Sequence, residues 1–154
     1  MAFGQLSLKG RALRLLAARE HSRQELERKL APHETEPGQL KQALDELQGR
    51  GFIDEQRVAD SVVHRRAPRV GATRIRQELQ AKGLDQETVA AAVEGLKSTE
   101  FERAREVWRK KFGDLPADAA ARAKQARFLA ARGFDGEVVR RLLNALVRER
   151  GELG

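Results

Sequence analysis

The stretch RQELQAKGLD at residues 76–85 has one counterpart earlier in the chain and another later. RQELERKL at 23–30 shares its first four letters, and QARFLAARGFD at 125–135 keeps the leucine, the glycine and the aspartate. An offset of 50 residues relates the second and third copies at seven positions, which pair Leu79 with Leu129, Gly83 with Gly133, Leu84 with Phe134, Asp85 with Asp135, Val89 with Val139, Val93 with Leu143 and Leu96 with Leu146. Recurrence near 50 residues with helical patterning predicts tandem units, each too small to bury its apolar face well alone.

The first copy matches the second best at its beginning. Leu26 aligns with Leu79 and Lys29 with Lys82, and the extra letters HETEPG follow before the apolar positions resume. Ser22 with Glu25 has the spacing of a capping box, which starts the middle helix of this unit. We expect three helices here: one over residues 7–19, one carrying Leu26 and Leu30, and, after Pro37 and Gly38, one that carries Leu40, Ala43, Leu44 and Leu47 and ends at Gly49 and Gly51.

The second and third units repeat this plan. In the second, Phe52 and Ile53 are expected to fold back onto the apolar core, and Asp54 to cap a helix over 54–66 that Pro68 and Gly71 end. The other predicted signals are caps at Thr73 and Asp85, a left-handed terminator at Gly83, inward-facing Ile75 and Leu79, a capping box of Thr99 with Glu102, a break from Gly113 to Pro116, and a second Gly-Phe-Asp turn at 133–135.

The composition agrees with a helical protein. Of 154 residues, 40% are hydrophobic, 34% charged and only 5% aromatic, and four are proline. Ala, Leu, Arg, Glu and Gln, which lose little side-chain freedom in a helix, dominate the chain. We therefore predict an all-α fold of three tandem three-helix, helix-turn-helix-like repeats, with the first over 1–53, the second over 54–97 and the third over 98–154.

The charge indicates an anionic partner. The formal net charge is +7, which favours nucleic acid, an acidic protein surface or a nucleoprotein. Residues 64–82 hold six basic side chains against the single acid Glu78, and WRKKF at 108–112 adds three cations between aromatics that we expect in the core. The candidate contact residues are therefore Arg65, Arg66, Arg69, Arg74, Arg76, Lys82, Arg109, Lys110 and Lys111.

The sequence lacks the residues that several other classes of function require. The chain has no cysteine for a disulfide, a thiolate zinc site or a nucleophile, which suits a reducing cytoplasm. The first twenty residues lack a signal peptide's apolar run, and no run is long enough to span a bilayer. His21, His33 and His64 are scattered, so surface or cap roles are expected, and no phosphate-loop or hydrolase motif occurs. Glu25 and Glu78 are assigned to helix starts, and we predict neither an enzyme nor a cofactor or metal.

A helix-turn-helix that reads DNA is the main alternative, because each unit has a short Gly-containing turn before its last helix. In the second unit that helix is QETVAAAVEGL, which contains Glu87 and Glu94 and no base-contacting Arg, Asn or Lys. In the first it is QLKQALDELQ, where acids offset Lys41. Only EVVRRLLNALVRER in the third unit is basic, so sequence-specific readout is disfavoured but stays open.

The motifs HSRQELERKL at 21–30, GFIDEQRVADSVVHRR at 51–66, GATRIRQELQAKGL at 71–84 and RFLAARGF at 127–134 resemble the RecX family in order and spacing. The resemblance covers nearly the whole chain. It implies an elongated, curved array of three-helix repeats that binds RecA and RecA filaments on single-stranded DNA. It also implies inhibition of filament growth, ATP hydrolysis, strand exchange and coprotease action, and so a role in DNA repair and the SOS response.

This chain departs from the family pattern at two places. Gly71 and Ala72 stand where the family usually has Gly-Pro, and Val58, Val62 and Val63 stand where it usually has aromatics. The resemblance leads us to expect a cytoplasmic monomer whose partner is RecA, met through the basic middle unit. Direct DNA binding that is independent of RecA, and a purely structural protein-binding solenoid, remain as alternatives.

Overall fold

The computed structural model describes residues 6–153, and this part of the chain is all-helical, with nine α-helices and no strand. The helices are α1 (Leu8–Ala18), α2 (Arg23–Leu30), α3 (Gln39–Gly49), α4 (Glu55–Arg66), α5 (Ala72–Ala81), α6 (Gln86–Leu96), α7 (Glu100–Lys111), α8 (Ala119–Ala131) and α9 (Gly136–Leu153). They confirm the predicted three tandem three-helix repeats. Residues 1–5 of the first predicted repeat and Gly154 of the third lie outside the described residues.

Each repeat has a small apolar core of its own among the described residues. Leu26, Leu79 and Leu129, the shared leucines of the repeated phrase, are completely buried, one in each core. Because the apolar residues are divided among three cores, the chain exposes 9884 Å² to solvent, more than the roughly 7,800 Å² expected of a compact protein of its mass. The protein is therefore elongated.

Most predicted helix caps are confirmed. Ser22 and Glu25 form the reciprocal capping box at the start of α2, and Asp54 and Asp85 accept hydrogen bonds from backbone N–H groups of α4 and α6. Gly83 has the left-handed φ of 77° that was predicted for it. These caps were readable because each joins groups three residues apart in the sequence.

Two threonine predictions were wrong. Thr73 lies inside α5, which begins after Gly71 without a side-chain cap from its own helix. Thr99 precedes α7 but caps no backbone N–H group, and its hydroxyl donates to Leu96 O at 3.3 Å and accepts from Arg103 Nε at 3.0 Å. At the start of α5 the distant Glu100 carboxylate accepts from Ala72 N instead, whereas the Thr99 hydroxyl is engaged by neighbouring residues of its own segment.

The Phe52–Ile53 prediction was half right. Ile53 is 2% exposed and completes the core of the first repeat, whereas Phe52 is 44% exposed. The chain turns at Gly51, which has a φ of 81°, and of the two residues after this turn only Ile53 is buried in the core.

The second and third repeats meet through backbone hydrogen bonds. Gly71 N donates to Arg132 O at 2.8 Å, and Thr73 N donates to Gly133 O at 3.2 Å. A Cβ atom on Gly71 would lie 2.3 Å from Gly133 O, so the approach requires glycine. The start of the middle helix in one repeat thus packs directly on the glycine turn of the next.

The first turn of α7 strengthens this joint with two charges of opposite sign. The buried Glu100 carboxylate accepts from Ala72 N at 2.8 Å, at the beginning of α5. The Arg103 guanidinium donates to the carbonyl oxygens of Ala67 and Val70 at 2.9 Å and of Leu96 at 3.3 Å, where α4 and α6 end. The anion therefore meets a helix N-terminus and the cation meets two helix C-termini, as the helix dipoles favour.

The first and second repeats meet through the equivalent parts, which are joined here by side-chain hydrogen bonds. The Ser22 hydroxyl donates to Lys82 O at 2.7 Å, and Lys82 Nζ donates to Glu25 Oε1 at 3.0 Å. Gly83 faces Gln24 closely, as Gly133 faces Arg74. Both joints place a middle-helix start on the next repeat's glycine turn, so the repeated phrase is an assembly element.

Candidate functional site

The corner where α4 turns into α5 carries the predicted basic patch. Arg65 lies in the last turn of α4, Arg69 lies in the connection to α5 and Arg76 lies in the first half of α5, and all three are exposed. Among the described residues, no carboxylate lies within 4.0 Å of their guanidinium groups. We call these three residues the arginine corner. Its charge is not neutralised by neighbouring acids, and guanidinium groups suit carboxylate or phosphate ligands.

The other three cations of the predicted patch hold the fold together. Arg66 Nε donates to both Glu78 carboxylate oxygens, at 2.9 and 3.1 Å. Arg74 Nη2 donates to Ala131 O at 2.6 Å across the joint between the second and third repeats. Lys82 joins the first repeat to the second, as described above. These bonds leave the three cations less free to meet a partner than the arginine corner.

The assignment of Glu78 to a helix start was wrong. Glu78 lies in the second half of α5, where its carboxylate pairs with Arg66 of α4. Glu25 does cap α2, and it also bonds to Arg19 at 2.8 Å and to Lys82 at 3.0 Å. The sequence RQEL therefore lies at the start of α2 but begins near the middle of α5.

The environment of Glu25 changes its acidity. Burial raises the pKa of this carboxyl, but hydrogen bonds from Arg19, the Ser22 N–H group and Lys82 outweigh it and lower the pKa to about 2. Glu25 therefore stays ionised and keeps the joint between the first two repeats in place. It has no free proton to donate, which agrees with a structural role.

The surface role expected for His21 was wrong, because this residue is only 2% exposed. Its ring lies between Lys29 Nζ and Arg19 O, each 3.0 Å from a ring nitrogen, so Nε2 accepts and Nδ1–H donates. Burial lowers the pKa of His21, and the charges of Arg19 and Lys29 lower it further, against the hydrogen bond to the Arg19 carbonyl. The ring is therefore a neutral packing element. His33 and His64 are exposed.

The WRKKF segment keeps its aromatics inside, as expected. Trp108 is 6% exposed and its Nε1–H donates to Gln125 Oε1 at 2.8 Å, while Phe112 packs edge-on against Phe128. Among its cations, Arg109 pairs with Glu106 at 2.6 Å, Lys110 lies 3.8 Å from the same carboxylate, and Lys111 lies over the ring of Phe128. The segment offers cations to a partner, but no free aromatic surface.

A crevice of about 290 Å³ lies beside the arginine corner, between the second and third repeats. Arg76 and Lys97 line it together with Asp135 and Glu100. Its charges are mixed, so it does not form a pocket for a small anion. The contact that the arginine corner supports is therefore with a surface rather than with an enclosed ligand.

Sequence reasoning missed the structural pair Glu100 and Arg103. Their spacing of three residues in EFER looks like an ordinary exposed ion pair on a helix. Each instead bonds backbone groups of the second repeat, 28 to 36 residues away. Only the packing of α7 against that repeat reveals this role.

The described part of the chain holds no group of three His, Cys, Asp or Glu residues arranged to bind a metal ion. Within residues 6–153, no helix is both long enough and apolar enough to cross a bilayer.

Comparison with known proteins shows that the chain is similar to one family of regulatory proteins. Family models for the first, second and third three-helix domains of RecX match residues 9–47, 54–93 and 98–143. "Regulatory protein RecX" of Leptothrix cholodnii is 58% identical over 139 residues, which cover 90% of this chain and 88% of the relative. The protein of the same name from Ralstonia pickettii is 49% identical over 138 residues, with 90% and 87% covered.

A solved structure has the same fold. The crystal structure of RecX from Lactobacillus salivarius matches with a TM-score of 0.72 at 19% identity, covering 90% of this chain and 94% of that one. At this identity the likeness concerns the fold alone. It agrees with the three-helix repeats described above.

Proposed function

The chain belongs to the RecX family of regulatory proteins, and on that premise we propose that it inhibits the RecA recombinase. The protein binds RecA and RecA filaments on single-stranded DNA, and it limits filament extension, ATP hydrolysis, strand exchange and coprotease activity. Through these effects it modulates DNA repair and the SOS response. It acts by binding and without catalysis, as a cytoplasmic monomer, with repeats over 1–53, 54–97 and 98–154.

The arginine corner is the observation that supports a contact surface. Arg65, Arg69 and Arg76 are exposed, and no described carboxylate pairs with them. A filament of protein and single-stranded DNA offers both carboxylates and phosphates, and guanidinium groups bind either with two parallel hydrogen bonds. We propose these three residues as the main contact of the protein with the filament.

The remaining predicted cations have secondary roles in this proposal. Arg66, Arg74 and Lys82 place the corner by fixing α4, α5 and the neighbouring repeats. Arg109, Lys110 and Lys111 lie on α7 and add positive potential at a distance. Because screening weakens such long-range attraction, binding is expected to fall as salt rises.

The test measures single-stranded-DNA-dependent ATP hydrolysis by RecA with added protein. We expect the unmodified chain to inhibit, and the triple variant R65E/R69E/R76E to inhibit at least about tenfold more weakly, because three exposed charge contacts each contribute up to about 1 kcal/mol. Arg66 is left in place because its substitution would break the bond to Glu78.

The matched control is R109E/K110E/K111E, which changes the net charge equally in a different repeat. We expect this control to lose little inhibition, and both variants to keep the helical circular dichroism of the parent. Equal losses in the two variants would show that only net charge matters. The absence of inhibition by the unmodified chain at several-fold excess over RecA would overturn the proposal itself.

Binding to DNA without RecA is the second candidate. It is favoured by α9, which takes the place of a recognition helix in the third repeat and carries Arg140, Arg141 and Arg148. This candidate predicts gel shifts of duplex DNA with a sequence preference when random duplex pools are used. Tight, sequence-selective shifts without RecA would replace the first proposal by this one.

A further inference from the structure

A groove of about 320 Å³ runs between α8 and α9 on the outside of the third repeat. Its lining is largely aliphatic, and three arginines stand around it. The aliphatic lining consists of Ala126, Ala130, Val139 and Leu143, with Gly136 at one end, and the arginines are Arg122, Arg127 and Arg140. The groove therefore combines an apolar floor with a cationic rim.

The rim is only partly neutralised. Arg140 pairs with Glu137, whereas Arg122 Nη2 donates to the neutral Asn144 Oδ1 at 2.7 Å. Arg127 is exposed, and its guanidinium group has no hydrogen-bond partner among the described residues. The groove thus carries two guanidinium groups whose charge no described carboxylate balances.

A second cavity, of about 660 Å³, continues this surface, because Arg122 lines both. Phe101, Arg141 and Arg148 line the second cavity, together with Val147, which is 51% exposed. The Arg141 guanidinium lies 5.3 Å from the centre of the Phe101 ring. Apolar and cationic groups therefore alternate along the whole surface.

The arginines do not belong to the repeated scaffold. At the offset of 50 residues, the groove's apolar positions Val139 and Leu143 correspond to Val89 and Val93 of the second repeat. The rim arginines Arg122, Arg127 and Arg140 stand where the second repeat has Ala72, Gln77 and Ala90, and Arg141 of the second cavity stands where it has Ala91. The repeat needs the apolar residues to fold, so the arginines of the third repeat require another explanation.

From this combination we propose that the α8–α9 groove binds an acidic peptide segment of a protein partner, with a large apolar side chain as its anchor. Carboxylates of the peptide meet Arg122 and Arg127, and a leucine or phenylalanine side chain enters between Ala130 and Val139. Nucleic acid fits less well, because a phosphate backbone would contact only the arginine rim and would leave the aliphatic floor without an apolar partner. The proposal concerns a different repeat from the arginine corner and does not depend on RecA.

Fluorescence anisotropy of the full chain with a labelled short peptide that alternates glutamate with leucine and phenylalanine tests the proposal. We expect saturable binding with a Kd below about 1 mM. Ala130→Trp fills the groove without changing its charge, and Arg127→Glu reverses a rim charge, so each is expected to weaken binding at least tenfold. Gln80→Trp, the exposed equivalent of Ala130 in the second repeat, is the matched control and is expected to bind as the parent does.

The outcomes separate an acidic apolar peptide from other ligands. A peptide of the same charge with serine in place of leucine and phenylalanine is expected to bind at least tenfold more weakly. Equal binding of the two peptides, or binding that Ala130→Trp leaves unchanged, overturns the proposal. The absence of saturable binding below about 1 mM also overturns it. So does an oligothymidine that displaces the peptide and binds more tightly, if Arg127→Glu weakens its binding and Ala130→Trp does not.

Discussion

Replacing Ala72 by proline is expected to destabilise the protein, although proline is favoured at the first position of a helix. Ala72 is that position in α5, and its N–H group donates to the buried Glu100 carboxylate at 2.8 Å. Proline has no N–H, and its Cδ atom would take the place of the hydrogen that points at Glu100. The carboxylate must then move and loses its backbone partner.

The magnitude follows from two opposed contributions. A hydrogen bond to a charged buried group contributes about 1.5–3 kcal/mol, whereas a compatible proline stabilises by about 0.4–1 kcal/mol through the unfolded chain. The net effect on the free energy of unfolding is therefore a loss of about 1–2 kcal/mol. Glu100 makes use of the N–H group that alanine supplies at this position.

Guanidinium denaturation followed by circular dichroism measures the effect in Ala72→Pro, Glu100→Ala and the double variant. Because both changes remove the same bond, we expect the double variant to lose at least about 1 kcal/mol less than the sum of the single losses. Ala119→Pro is the control, since Ala119 holds the same position in α8 but is exposed and makes no hydrogen bond through its N–H group within the described residues. That variant is expected to gain stability. Stabilisation by Ala72→Pro, or additive losses in the double variant, would refute the reasoning.

Three further expectations concern the joints between repeats. Gly133→Ala should lower the free energy of unfolding by about 2 kcal/mol or more, since Gly133 has a φ of 90° and its new Cβ would lie 2.5 Å from Arg74 Cβ; an unchanged denaturation midpoint contradicts this. Because the pKa of Glu25 is lowered to about 2, its contribution to stability is fully present above pH 4.5 and is lost as pH falls towards 2. In Glu25→Gln the free energy of unfolding should therefore fall less steeply with pH below 4.5 than in the parent. An equally steep fall in both proteins argues against this role. Arg103→Met removes the donor to three backbone carbonyls and should lower the free energy of unfolding by about 2–3 kcal/mol. A loss below about 0.5 kcal/mol in thermal or chemical denaturation would show that other contacts stabilise this joint.

The candidate site could be predicted from the sequence only as a set of cations. The run from Arg65 to Lys82 was visible because it contains six basic residues and only one acid, Glu78. Which of these cations remain exposed and unpaired was not visible, because Arg74 bonds to a carbonyl 57 residues away and Lys82 to a carboxylate 57 residues away. Arg66 and Glu78, twelve residues apart, pair only because α4 and α5 pack side by side.

The sequence by itself determined the helices, most of their caps and the repeat. Leucines at helical spacing, Ser22 with Glu25, and Gly83 with its positive φ act within three or four residues, so the chain expresses them wherever it folds. The tertiary structure alone decided how the repeats join. Glu100 and Arg103 compensate helix ends that belong to another repeat, and such contacts depend on the relative placement of whole helices rather than on the order of neighbouring residues.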